Sequence, residues 1–188
     1  MKDRTKWEYA HAMIGLMEHK SIQKVTVREI CKVCDARPQN FYYHFRDKYD
    51  LVNWIYAQDV EAVCQANMNK PWSQVLPICY TNLLKRQAFY KNAFEDDSTN
   101  FLIRYIVEYQ VKLYSDLLRR KGVQLDESLS FAMKYHAYAC AMLTRDWHSS
   151  KQPMPPERFA ALLMDAMPEK LREPLERCGF AENEEKEG

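Results

Sequence analysis

Residues 26 to 56, TVREICKVCDARPQNFYYHFRDKYDLVNWIY, constrain what this chain can fold into more than any other segment. Thr26-Val-Arg-Glu29 has the form of a capping box, in which the threonine hydroxyl accepts from a first-turn amide and the glutamate reaches back to the threonine amide. A helix therefore starts there, carries Val27, Ile30 and Cys34 inward, and ends near Asp35-Ala36, where aspartate tolerates a left-handed backbone better than most side chains. Pro38 suits the first turn of a following helix, because its φ is preset and its missing amide hydrogen has no helical partner to lose. That helix is short, Pro38 to His44, and dense in Gln, Asn and Tyr. Asp47 caps the next one, with Asp50 in its positive first turn, and Leu51, Ile55, Gln58 and Ala62 carry it to Ala66. A capped helix, a sharp turn, a short polar helix and a capped long helix form a helix-turn-helix arrangement.

The rest of the chain reads as helix too. Trp7, Ala10, Ile14 and Met17 recur at spacings of three and four, which predicts a first helix from Asp3 to His19. Beyond a joint at Asn67 to Trp72, helices are expected near Ser73 to Gln87, Phe89 to Phe94, Asn100 to Lys121, Asp126 to Ser149 and Pro156 to Met167. Gly122 closes one of these as a C-cap, and Pro153, Pro155 and Pro156 separate the last two. Only 4 glycines stand against 9 methionines, and alternating runs broken by glycine turns are missing. The expected fold is all-α: a three-helix helix-turn-helix head over residues 1–48, helix four over 48–66 as the link, and a helical-bundle body over 67–170. Residues 171–188 are expected to be a partly disordered tail, in which Leu171, Leu175 and Cys178 allow one more short helix and AENEEKEG is solvated.

Up to Asp50 the chain has 10 Lys and Arg against 7 Asp and Glu, net +3, and beyond it 17 against 19, net −2. The asymmetry is in the direction expected of a nucleic-acid-contacting head on a neutral-to-acidic body. The absence of a charged-then-apolar leader, and of any apolar run approaching about 18 residues, points away from secretion and membrane insertion and toward the cytoplasm. The six cysteines are then reduced thiols. Cys31 and Cys34 form a C-x-x-C without a second Cys or His pair at zinc spacing, so packed thiols are the main reading and redox or metal sensing the other. No metal or cofactor is expected. Nor is an enzyme, since Gly-rich phosphate loops, paired-histidine metal motifs and nucleophile elbows do not occur.

The pattern T-x-x-x-I followed after a turn by F-Y-x-H-F-x-x-K-x-x-L, here Thr26, Ile30, Phe41, Tyr42, His44, Phe45, Lys48 and Leu51, resembles the tetracycline-repressor (TetR) family over the first 60 residues or so. Trp147 shortly before a Pro-Pro-Glu-Arg helix start also resembles a subgroup containing DhaS-like activators of dihydroxyacetone kinase operons. The resemblance implies a homodimeric transcription regulator on a palindromic double-stranded operator, whose body senses a small molecule. The alternative is an activator dependent on a protein co-regulator, or an interaction module without a small-molecule ligand. Carried over by position, it makes Arg28, Arg37, Pro38, Gln39 and Tyr43 candidates for base-edge or groove contact and places Thr26, Asn40, Tyr42, His44 and Lys48 on phosphates. The chemistry agrees, since Gln39 and Asn40 carry the paired donor and acceptor that adenine edges match. Lys48 sits where an ammonium and first-turn amides can grip one phosphate. His44 has a second reading as a packed residue. The chain departs from the family with Asp35 where glycine is usual at the turn, and Arg37 where a small hydroxyl residue usually caps the recognition helix. Arg37 therefore either leaves the cap empty, at about 1 kcal/mol, or is there for DNA contact.

In the body, Leu129, Met133, His136, Cys140, Leu143 and Trp147 form a heptad-like seam, and Phe131, Tyr135, Tyr138 and Met142 a second stripe on the same helix. With Ala137 and Ala141 permitting close approach, and with Phe159, Leu162, Leu163 and Met167 on the following helix, these last two helices are the expected dimer interface. Trp54, Tyr80, Phe89, Phe94, Phe101, Tyr105, Tyr109 and Tyr135 are the aromatic candidates for an effector pocket, with Arg104, Glu108, Lys112, Arg145 and Asp146 for its polar ends. Such stripes more often fill a core.

Overall fold

The computed structural model describes residues 2–95 and 100–177, with side chains from residue 4 onward. The described residues form ten α-helices and no strand: α1 (Lys2–Met17), α2 (Val27–Val33), α3 (Pro38–His44), α4 (Lys48–Ala66), α5 (Trp72–Leu84), α6 (Gln87–Phe94), α7 (Phe101–Arg120), α8 (Glu127–Ser149), α9 (Pro156–Asp165) and α10 (Glu169–Glu176). The spans of α3 and α4 coincide with those expected, because Pro38 and the Asp47 cap mark their starts. A single 3-10 turn at Ile22–Lys24, unforeseen in the sequence, joins α1 to α2. Gly122 ends α7 with φ 73° while the Val123 amide donates to the Leu118 carbonyl at 2.9 Å, closing that helix as the glycine implied.

Helices α1 to α3 make the head, and the apolar core runs unbroken from it through α4 into the body. Within the body α5 packs on α9, and α7 and α6 pack on α8. A buried polar knot pins α4 to α5, to the loop that follows α5 and to α6. The Asp59 carboxylate accepts from the Tyr90 hydroxyl at 2.6 Å and from Arg86, and its carbonyl accepts from Asn82 at 2.9 Å. A charge buried this deeply persists only when it is paired and hydrogen-bonded.

Residues 171–176 are not tail. They complete α10, which buries Leu171, Pro174 and Leu175. The Glu176 carboxylate accepts from the Ser73 amide and hydroxyl at 2.7 and 2.6 Å, supplying the acceptor that Pro71 cannot give as N-cap of α5. Cys178 and the AENEEKEG segment lie outside the described residues.

The expected dimer seam on α8 requires correction. Met133, His136, Ala137, Cys140 and Trp147 are buried within the chain, as are Phe159 and Leu163 of α9. His136 faces the Tyr114 ring of α7, and Trp147 stacks on Phe159 at 4.9 Å beside Tyr80 of α5. Of the residues expected there, Leu143 and Leu162 are exposed. The exposed apolar face is the other stripe, Phe131, Tyr135, Tyr138 and Met142, with Leu162 of α9 also exposed.

Candidate nucleic-acid interface

Two phenylalanines fix how α3 is presented. Phe41 and Phe45 are buried against Tyr9 of α1, with ring centroids 5.3 and 6.4 Å away, and Phe45 also meets Trp54 of α4 at 5.8 Å. With that face anchored, helical geometry turns the remaining side chains outward. Arg37, Pro38, Gln39, Asn40, Tyr42 and Tyr43 are all exposed, Tyr43 at 70%. Tyr42 and Tyr43 present large aromatic surface to solvent there, while their rings also meet Phe41 at 5.6 Å and His44 at 5.1 Å.

The turn before α3 is a Schellman motif. The Ala36 amide donates to the Cys31 carbonyl at 2.9 Å and the Asp35 amide to the Lys32 carbonyl at 3.4 Å, which places Asp35 at φ 48°. Arg37 makes no side-chain cap, so the first-turn amides of α3 have no acceptor from that residue. Its side chain stands beside Asn40, Tyr43 and His44 on a polar hollow of about 530 Å³ that α1 lines with Thr5 and Glu8.

Other candidates are placed less directly. Arg28 is exposed on α2. Thr26 is exposed but committed to its capping box, accepting from the Glu29 amide at 3.2 Å while its own amide donates to Glu29 at 2.9 Å. Lys20, 2.7 Å from the same carboxylate, and the two Thr26 hydrogen bonds hold the Glu29 carboxyl at about 2. His44 is half-buried, its ring among those of Tyr9, Tyr43 and Phe45, which matches the packed reading. Lys48 requires correction: its ammonium donates to the carbonyls of Ile22, Gln23 and Val25 at 2.7, 3.2 and 2.8 Å. It closes the unforeseen 3-10 turn onto α4 and is not aimed at a phosphate.

In the body a cleft of about 490 Å³ lies between α4 and α7. Of the aromatic candidates only Tyr105 and Tyr109 line it, and of the polar ones only Glu108 and Lys112. Trp54 packs on Trp7, Tyr80 on Phe159, Phe89 on Tyr90 and Phe101 on Tyr49, while Tyr135 is exposed on α8. Trp54, Tyr80 and Phe101 belong to the packing because their rings find partners on neighbouring helices, as does Phe94 against His148 of α8, whereas Phe89 is buried beside Tyr90 of its own helix. Glu61, Cys64 and Gln65 of α4, with Asp116 and Arg120 of α7, complete the polar lining and were not singled out in the sequence. Their i, i+3, i+4 spacing on two facing helices was the available signal.

Residues 11–55 match the family described as bacterial regulatory proteins, tetR family, and residues 70–169 match the transcriptional regulator C-terminal region. The HTH-type dhaKLM operon transcriptional activator DhaS of Lactococcus lactis subsp. lactis (strain IL1403) is 25% identical over 142 residues, covering 73% of this chain and 75% of that protein. The solved structure of a dihydroxyacetone kinase operon activator DhaS superposes with a TM-score of 0.64 at 21% identity, covering 87% of this chain and 93% of the other, and shows the same fold.

Proposed function

Because the chain belongs to the tetR family of bacterial transcription regulators, we propose that it binds a palindromic DNA operator as a homodimer and that a ligand in the α4–α7 cleft changes that binding. The observation that carries the DNA half is the outer face of α3, where Arg37, Gln39, Asn40, Tyr42 and Tyr43 project from a helix pinned by Phe41 and Phe45. A helix of this kind fits a major groove, with arginine matched to guanine and Gln or Asn to adenine. The second protomer is the natural cover for Phe131, Tyr135, Tyr138 and Met142, which with Ala139 and Lys134 line a hollow on α8. Such a stripe on a two-fold axis meets itself, and pairing places two α3 helices on one duplex.

The signal travels through α4. One end of this helix is tied to the segment before α2 by Lys48 and the other lines the cleft, while Asp59 clamps its middle to the body. A ligand that shifts α4 shifts the separation of the recognition helices, and so acts by differential affinity for two arrangements. Among the described residues no helix is long and apolar enough to cross a membrane. The protein works in the cytoplasm by binding, without turnover. A second reading is activation through a protein partner, supported by the DhaS relative being an activator.

Selection of bound duplexes from a random pool tests the proposal. An inverted repeat with half-sites one helical turn apart, about 34 Å, supports it. Recovery of unrelated sequences only, or of single half-sites bound by monomers, contradicts it.

A further inference from the structure

The sequence places Trp54 among the pocket candidates, and the structure puts it where α4 meets both α1 and the end of α3. Its ring takes the Trp7 ring of α1 edge-on, with centroids 5.0 Å apart at 66°, and the Phe45 ring in the same way at 5.8 Å and 65°. The Lys6 ammonium lies over both Phe45 and Trp54, 5.9 and 5.5 Å from their centroids, and closes the contact from the α1 side. Phe45 is buried, whereas Trp54 is only half-buried. Phe45 is also the C-cap of α3, its amide donating to the Phe41 carbonyl at 3.0 Å. Four residues apart, Phe41 and Phe45 share one face, so the two rings together set how this seven-residue helix is rolled. The other polar ties of α4 to the head hold different groups. Lys48 takes the carbonyls before α2, and the Asp50 carboxylate accepts from the Arg46 amide at 3.0 Å and from its guanidinium at 3.4 Å. Among the described residues, Trp54 is the one α4 ring in contact with a ring of the α3 segment. Without that edge Phe45 can change rotamer, and α3 can rock about Phe41.

We propose that Trp54 is a positioning residue for sequence reading: its ring holds Phe45, and through it the C-terminal end of α3, in the one roll that aims Gln39, Asn40 and Tyr43 together at base edges. This rests on the proposed role of α3 as the recognition helix. Trp54 touches no DNA itself, since its ring is shared between α1 and Phe45. Base-edge hydrogen bonds are directional, and they weaken steeply when donor and acceptor are misaligned. Phosphate contacts tolerate a rocking helix better, because they depend mainly on charge. A loosened α3 therefore loses discrimination between sequences before it loses attraction for DNA. The same contact lies on α4, so a displacement of that helix reaches α3 through the Trp54 and Phe45 rings.

Full-length Trp54→Leu, which keeps an apolar side chain but no ring, and Trp54→Phe, which keeps a ring edge, are compared with wild type in two measurements. In amide hydrogen exchange without DNA, Trp54→Leu should speed exchange in α3 by roughly three- to tenfold, the size of one edge-to-face ring contact, and leave α5 to α9 unchanged. Binding to the selected operator should weaken by a similar factor, while binding to scrambled duplex and the salt dependence of both stay as in wild type. Trp54→Phe should restore both properties, and Trp54→Leu combined with Phe45→Leu should lose less than the two single losses added together. Exchange that rises uniformly, equal weakening on both duplexes, no rescue by Trp54→Phe, or strict additivity with Phe45→Leu would overturn the proposal. So would a Trp54→Leu protein that does not fold, because a half-buried positioning ring should not hold the core. If wild type bound no operator, the DNA reading would fail instead, and hydrogen exchange would still decide whether Trp54 holds α3.

Discussion

Single residues in the head separate shape from contact. Asp35 is at φ 48°, a conformation that glycine adopts without strain, so Asp35→Gly should raise stability by roughly 0.5–1 kcal/mol. Urea unfolding measures this, and a lower midpoint would mean that the aspartate side chain stabilises the turn in a way its backbone does not reveal. Lys48→Met removes the ammonium shared by three carbonyls, of which that of Ile22 keeps the Val25 amide, and should cost about 2 kcal/mol of stability. Arg37→Ala, at an exposed uncapped position, should leave stability within about 0.5 kcal/mol and weaken operator binding instead. An Arg37 variant that unfolds early, or a Lys48 variant of unchanged stability that binds DNA poorly, would reverse these assignments. Acid sensitivity has two windows. Burial lowers His136 and His148 to about 4 from an ordinary 6.5. The unfolded chain binds those protons first, so stability falls as pH drops from 6.5 toward 4, by on the order of 3 kcal/mol for each shift of this size. Glu29, lowered from 4.5 to about 2, contributes stability that is present above 4.5 and lost as pH falls through 2. Denaturant titrations at several pH values should show both declines, with Glu29→Gln flattening only the lower one.

At the scale of elements, the head was legible because its signals are local. A capping box, a left-handed turn residue, a proline at the first helical position and an aspartate N-cap each act within about four residues, and all four appear where the sequence places them. The body was less legible. Two stripes on α8 share the same three-and-four spacing, and periodicity cannot say which faces its own chain. Tyr114 of α7, Tyr80 of α5 and Phe159 of α9 decide it, taking the Met133–Trp147 side and leaving Phe131, Tyr135, Tyr138 and Met142 exposed. The role of Lys48 was hidden for a related reason: its partners belong to a 3-10 turn that no short motif announced. The cleft was half legible, because Tyr105 and Tyr109 line it but the facing residues lie about forty positions earlier on α4. Tyr135→Glu should therefore yield a well-folded monomer by sedimentation. Met133→Ala should lose about 2–5 kcal/mol of fold stability. A Tyr135→Glu protein that remains dimeric would move the interface elsewhere.

At the scale of the molecule, the continuous core and the clamps on α4 join head and body through one helix, the one by which the proposed ligand acts on the proposed DNA interface. Everything proposed about signalling depends first on α3 reading DNA. The most direct test is a fluorescence-anisotropy titration of a selected operator duplex with wild type and Arg37→Ala over 50 to 200 mM salt. Six to ten phosphate contacts lower affinity by roughly 10³- to 10⁵-fold across that range. Wild type should show a steep logarithmic dependence of this kind and a preference for the operator over scrambled duplex, with Arg37→Ala binding more weakly. Affinity that is flat in salt, equal for both duplexes and indifferent to Arg37 would contradict the account.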